Sequence, residues 1–315
     1  MAMSKKKIYL SEAQVNNVIG QDGYLDNSDT TNNITDTNHE TMVDKPEIPQ
    51  ETPMDKQTLG ATNNNLHNAK REKNDEFYTK NADIERELQH YLPYLKGKRV
   101  VCPCDTENSE FVKYFKVNGE RIGILTLGYS HLSSGVDFRN VDYSNYDVVI
   151  TNPPFSLFRE FIATMEANHM DYLVIGSKNA ITYKEIFPLL QHNKMWLGVN
   201  NVTTFTKPDG SEQKFGNIGW FTNIPHNKRN AFIPLTKKYV PELYPKYDNY
   251  NAIDISKVAD IPADYDGYMG VPISFLDKYN PEQFEIIKFR KGDDGRDLCV
   301  NGKCPYFRII IKKRQ

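Results

Sequence analysis

Four consecutive residues, Asn152-Pro153-Pro154-Phe155, put a side-chain amide, two rigid imino acids and an aromatic ring directly after the run Tyr146-Asp147-Val148-Val149-Ile150-Thr151. The run predicts a buried strand. The prolines fix successive φ angles beyond it, and the first also holds Asn152 extended. The Asn152 side-chain oxygen and a backbone carbonyl can then converge on one point in space, and two acceptors at one point hold an amino group. An exocyclic amine such as adenine N6 is a poor nucleophile while its lone pair is delocalised into the ring. Accepting its two hydrogens turns that pair toward an electrophile, with Phe155 placed to stack on the base.

A loop of this kind needs a rigid sheet behind it. From Asn74 onward the pattern alternates between helical and strand periods. Ile84, Leu88, Tyr91, Leu92 and Leu95 recur at helical spacing, with Gly97 as a stop. Val100-Val101-Cys102 predicts a strand, Ser109 to Lys116 a helix with Phe111 and Phe115 inward, and Ile122 to Leu127 a second strand. The strand 146–151, a helix from about Ser156, a strand over Tyr172-Ile175, a helix near 182–191 and a strand over Met195–Val199 follow. Alternating helices and continuously apolar strands predict an α/β fold with a doubly wound, mostly parallel sheet. Ligands bind at the C-terminal edges of such strands, which is where Asp105, Asp137 and Asn152 are expected.

The flanks differ in texture. Residues 26–73 lack aromatic side chains and are dominated by polar residues, so the segment cannot bury enough surface to offset its ordering entropy and reads as a disordered linker. Ahead of it, in the short N-terminal segment 1–25, Ser11-Glu12-Ala13-Gln14 has capping-box spacing and Leu10, Val15, Val18 and Ile19 form an apolar stripe. Residues 10–20 therefore predict a short helix, either frayed or docking on a protein partner. The core is expected over 74–200. Residues 201–289, rich in Gly, Pro, Asn and Tyr, read as an inserted recognition region plus remaining core strands, and 290–315 as a basic C-terminal hairpin or tail.

Net charge is −2, yet residues 26–70 carry eight acidic side chains against three lysines, and 290–315 eight basic ones against three aspartates. The folded part is less acidic than the total, which is compatible with a nucleic-acid partner. No long apolar run or signal-peptide pattern indicates a membrane span or secretion, so the expected location is cytoplasmic. Cys102 and Cys104 stand in a C-x-C spacing unlike the usual zinc spacing, and no metal is expected. Cys299 and Cys304 flank the hairpin signal Val300-Asn301-Gly302-Lys303 and are expected to face one another as free thiols in a reducing compartment.

Over about residues 74–290 the chain resembles the adenine-specific DNA methyltransferases, and within them the EcoRI-type modification methylases. Asn74-Asp75-Glu76-Phe77-Tyr78-Thr79 resembles the N-terminal cofactor motif, Gly135-Val136-Asp137-Phe138-Arg139 the adenosine-binding motif and Asn152-Pro153-Pro154-Phe155 the catalytic motif. Gly216-Asn217-Ile218-Gly219-Trp220-Phe221 and Tyr244 to Tyr250 resemble the EcoRI-type branch. The resemblance implies a Rossmann-like methyltransferase fold, S-adenosyl-L-methionine as methyl donor and double-stranded DNA as partner, in a restriction-modification setting. It implies binding of the donor's ammonium by Asp105 and of its adenine by Asp137 and Phe138, with Phe77, Tyr78 and Thr79 closing over the methionine end. One departure is that Val101 to Asn108 contains no glycine, and no acidic residue stands at the end of the second strand for the ribose. The same loop chemistry also suits another amine, on an RNA base, cytosine N4 or a protein glutamine. A catalytically silent DNA-binding or decoy protein is the reading from another class. Cys104 follows the first strand rather than the catalytic loop, and amine methylation needs no covalent intermediate.

Overall fold

The computed structural model describes residues 8–9, 78–207, 209–304 and 307–314. The expected helix 10–20, the linker 26–73 and Phe77 lie outside the described residues. In chain order the elements are β1 (Ile8–Tyr9), β2 (Tyr78–Thr79), α1 (Asn81–Leu88), α2 (Leu92–Leu95), β3 (Arg99–Cys102), α3 (Glu110–Ile122), β4 (Thr126–Tyr129) and β5 (Val148–Thr151). They continue with α4 (Phe158–Ala167), β6 (Asp171–Ser177), α5 (Phe187–Gln191), β7 (Trp196–Thr206), β8 (Glu212–Thr222), β9 (Ala252–Asp254), β10 (Tyr268–Pro272), β11 (Phe284–Phe289) and β12 (Arg308–Lys313).

Eight strands form a central sheet in the order β1-β4-β3-β5-β6-β8-β7-β2. The pairings from β1 through β6 are parallel, and those joining β8, β7 and β2 are antiparallel. The order of strand addition reverses across β3, because the chain runs from β3 outward to β4 and then returns to place β5, also parallel, on the other flank. That reversal leaves a crevice at the C-terminal ends of β3 and β5. Alternate residues of the buried strands feed two cores. Val101, Val149 and Val174 face α4 and the second sheet, while Val100, Val148, Ile150 and Leu173 face α1 and α3.

Boundaries shift where local chemistry decides them. Ser109 caps α3 by accepting from the Val112 backbone N–H at 3.2 Å, and Gly123 closes it at φ 87°, a left-handed conformation that suits glycine. Ile122 is therefore the last helical residue, and the strand expected over Ile122–Leu127 is displaced to Thr126–Tyr129. The single helix expected through Leu95 breaks into α1 and α2, with Pro93 in the first turn of the second.

A second sheet has the order β11-β12-β10-β9, so the C-terminal strand β12 is an inner strand of a hairpin with β11. Its Ile309 and Ile311 join the core shared with α4 and α5. Cys299 and Cys304 are joined in a disulfide, which corrects the expectation of free thiols; Val300 and Lys303 pair as the hairpin demands and bring the two sulfurs together. No described helix is long and apolar enough to cross a membrane.

Candidate active site

Asp147 enters the geometry from the far end of the strands. Its carboxylate accepts from the Arg99 backbone N–H at 2.8 Å and from the guanidinium at 3.1 and 2.7 Å, locking the start of β3 to the start of β5. With the N-terminal ends clamped, the loops leaving the C-terminal ends lie side by side. Asp105 leaves β3 and Asn152 leaves β5. The Thr151 hydroxyl donates to Asp105 at 2.5 Å and ties the two loops together.

Asp105 is only 6% exposed. Burial pushes its carboxyl up to about 7, against the opposing hydrogen bonds from Thr151 and Ser109. Its hydrogen-bond partners are hydroxyls and no cation pairs with it among the described residues, so the site is poised to gain from a positive ligand group. Cys104, in the same loop, is pushed up by burial first and then by the Asp105 and Asp137 carboxylates. A thiol kept protonated is a poor nucleophile, in keeping with a non-covalent reaction.

A cavity of about 260 Å³ opens here, lined by Tyr78, Thr79, Asp105, Asp137, Phe138, Asn152 and Pro154 among others. Asp137 caps the short 3₁₀ turn Phe138–Asn140 by accepting from the Arg139 backbone N–H at 2.9 Å, and Arg139 approaches its carboxylate at 3.3 Å. Phe138 packs on Phe161 of α4 with ring centroids 5.1 Å apart. Thr79 reaches the cavity because β2 pairs with β7, Tyr78 opposite Thr206 and Thr79 opposite Phe205. The Thr79 side-chain oxygen is buried with no hydrogen-bond partner among the described residues.

Two loop residues are not part of the cavity lining. Pro153 is buried, and Phe155 is half-buried with its ring edge-on to Phe205 at 6.1 Å and Phe215 at 6.3 Å. Trp220 belongs to the core: it is 1% exposed and packs on Phe111. The sequence reading missed the stretch after β4, where His131, Leu132 and Ser133 line the cavity. His131 Nδ1 accepts from the Ser133 backbone N–H at 3.1 Å, and Asp105 donates its N–H to the Ser130 carbonyl at 2.9 Å. The available signal was position alone: these residues follow the second strand, at the end where no acidic residue stands.

A doubly wound sheet whose reversal point carries an amide-and-proline loop beside a buried carboxylate is the framework of an α/β group-transfer enzyme. The family described as "Adenine-specific methyltransferase EcoRI" matches residues 65–143 and 131–314. The Escherichia coli Type II methyltransferase M.EcoRI is 42% identical, over 81% of this chain and 98% of its own. Type II methyltransferases of Mycoplasma genitalium and Mycoplasma pneumoniae are 33% and 32% identical, each over 79% of this chain and 99% and 98% of their own. The chain belongs to the EcoRI family of adenine-specific methyltransferases and is a site-specific DNA adenine methyltransferase.

Proposed function

We propose that the cavity binds S-adenosyl-L-methionine and that Asn152 presents to it the N6 amino group of an adenine rotated out of double-stranded DNA in the cytoplasm. The observation that carries this reading is the meeting of Asn152 with Asp105, Asp137 and Thr79, drawn from four separate segments, around one cavity. The residues fit the donor. Asp105, buried and lacking a cation, suits the α-ammonium group; Asp137 and Phe138 suit the adenine amino group and ring; the unpartnered Thr79 hydroxyl suits the methionine end, where Tyr78 and Phe77 would close.

Bound there, the donor supplies an electrophilic methyl group on its sulfonium. Asn152 and a backbone carbonyl of the Pro153-Pro154 loop accept the two hydrogens of N6 and aim its lone pair. Rigid alignment of this kind is worth up to about 7–11 kcal/mol of barrier. No strong general base is needed, because the alkylated amine is acidic and sheds its proton. Rotating the base out costs a few kcal/mol, offset by contacts in the pocket. Phe155, held edge-on to Phe205 and Phe215, would stack on the base beside the cavity rather than inside it.

Calorimetry with S-adenosyl-L-methionine, followed by mass spectrometry of a treated adenine-containing duplex, tests the reading. Donor binding and N6-methyladenine are the expected results. Absence of binding overturns the donor assignment, and a different modified base overturns the substrate while leaving the loop chemistry intact.

A further inference from the structure

One carboxylate of the central frame lines no part of the cavity and is nevertheless fully buried. Glu87, in the last turn of α1, is 0% exposed, and no cation pairs with it among the described residues. Four donors surround it instead. Its Oε1 accepts from the Val199 backbone N–H at 2.7 Å and the Tyr91 hydroxyl at 3.0 Å. Its Oε2 accepts from the Asn200 backbone N–H at 2.8 Å and from Asn200 Nδ2 at 2.9 Å. Burial pushes the carboxyl up, against these opposing hydrogen bonds. A ring of donors calls for a side chain that only accepts, and an amide in its place would turn one donor toward two others.

Three of the four donors belong to an irregularity in the sheet. Between Leu197, opposite Phe221, and Asn201, opposite Gly219, β7 advances four residues while β8 advances two. Val199 and Asn200 leave the ladder there, and Glu87 supplies the acceptors that a neighbouring strand would otherwise give them. Gly198 makes room for it, since a Cβ at that position would collide with Glu87 Oε1. Arg86 adds a second grip: its carbonyl accepts from Asn200 Nδ2 at 3.1 Å and its guanidinium donates to the Asn201 carbonyl at 3.3 Å. The helix so anchored begins just after β2, and β2 pairs with β7 through two residues, Tyr78 opposite Thr206 and Thr79 opposite Phe205. So short a ladder holds a strand weakly by itself. Glu87 is the second anchor, tying the far end of α1 to the same strand just upstream of that pairing.

We propose that Glu87 is a positioning residue for methyl transfer: by satisfying the bulge in β7 it anchors α1, and thereby holds the Thr79 hydroxyl in the wall of the donor cavity. This role rests on the reading of that cavity as the S-adenosyl-L-methionine site. Thr79 is 4% exposed, and its hydroxyl has no hydrogen-bond partner among the described residues. With its rotation also restricted by β-branching, the backbone of β2 sets where that oxygen lies.

The test measures S-adenosyl-L-methionine affinity by calorimetry on the full chain. Thr79→Val, which removes the hydroxyl and keeps the shape, should weaken binding about 3- to 10-fold, the worth of one hydrogen bond. Glu87→Gln should lose a similar factor, about 3- to 10-fold, at a temperature where circular dichroism shows it fully folded. Added to Thr79→Val, Glu87→Gln should cost less than about twofold more, because the contact it positions is already gone. Asn200→Ala, a milder change that removes one of the four donors, should weaken binding about two- to threefold with the same non-additivity. It carries the test if Glu87→Gln does not fold. A lower melting temperature with unchanged donor affinity, or losses that add in the double variants, would make Glu87 a purely structural residue and overturn the proposal. Wild-type protein that binds no donor overturns the cavity reading and this role with it, whereas additivity in a donor-binding protein overturns this role alone.

Discussion

The edge of the central sheet and the four-stranded sheet treat their charges in opposite ways. At the central edge Asp105 is buried beside hydroxyls, its carboxyl raised to about 7, and the Thr79 hydroxyl is left unpartnered among the described residues. Around the second sheet, Asp254 and Asp297 each have a cation. Asp254 accepts from Arg308 at 2.9 Å and from the Tyr247 hydroxyl at 2.5 Å, with both side chains of the ion pair near 10% exposed (11% and 10%). Asp297 is held at about 2 by Arg290 and Lys291. Unmet polar demand is costly in a buried place, and it persists where a ligand can satisfy it. Met demand stabilises the frame that carries the site.

The pH responses of the two aspartates have opposite signs. The Asp105 carboxyl lies above its ordinary value of 3.8, so its ionisation opposes folding: the cost grows as pH rises from 3.8 through about 7 and is complete above that. The Asp297 carboxyl lies below 3.8, so its contribution is present above 3.8 and is lost as pH falls through about 2.

The contrast can be broken by exchanging the fates of the two regions. Asp254→Ala leaves Arg308 buried without this carboxylate and should lower unfolding free energy by about 3–5 kcal/mol in denaturant melts. Donor affinity of the folded fraction should be unaffected, and a donor-binding defect would erase the distinction between frame and site. Asn152→Ala should act in reverse, lowering methyl transfer about 10²- to 10³-fold, equivalent to about 2.7–4 kcal/mol, with melts and donor affinity close to wild type. Asn152→Asp, which retains an acceptor oxygen, should give an intermediate rate; radiolabelled transfer measures both, and wild-type activity in Asn152→Ala would refute the assignment.

Smaller effects sharpen the electrostatic side. Asp105→Asn should weaken donor binding by about 1.5–3 kcal/mol, the worth of a charge-assisted hydrogen bond. Wild-type donor affinity should decline as pH falls below about 7, approaching tenfold per pH unit, because binding a cation requires the ionised carboxylate. Calorimetry in buffers of different ionisation enthalpy should detect the released proton, and the Asp105→Asn profile should be flat. The smallest effect belongs to the half-exposed Arg290–Asp297 pair, where a double-mutant cycle should give less than about 1 kcal/mol.

Much of the central sheet is legible in the chain because its causes are local. The Val148–Thr151 strand and the prolines after it define the Asn152 loop with no help from distant residues. Ser109 and Gly123 bound α3 by capping, and the Ile122 strand was misplaced because an apolar residue at a helix end looks the same as one at a strand start. The placement of Asp105, Asp137 and Phe138 on one cavity follows from strand order, which periodicity implies only as a class.

By itself the sequence determined the alternating α/β frame, the rigid Asn152-Pro153-Pro154 loop after its strand and the resemblance that names its reaction, since each rests on residues within a few positions of one another. Tertiary structure alone decided that β2 crosses to pair with β7 and carries Thr79 to the cavity, that His131 and Ser133 line it, and that β12 becomes an inner strand. It also decided that Phe155 leans on Phe205 and Phe215. These are contacts between segments far apart in the chain. Their geometry depends on which faces the folded sheets bury together, and no local propensity encodes it.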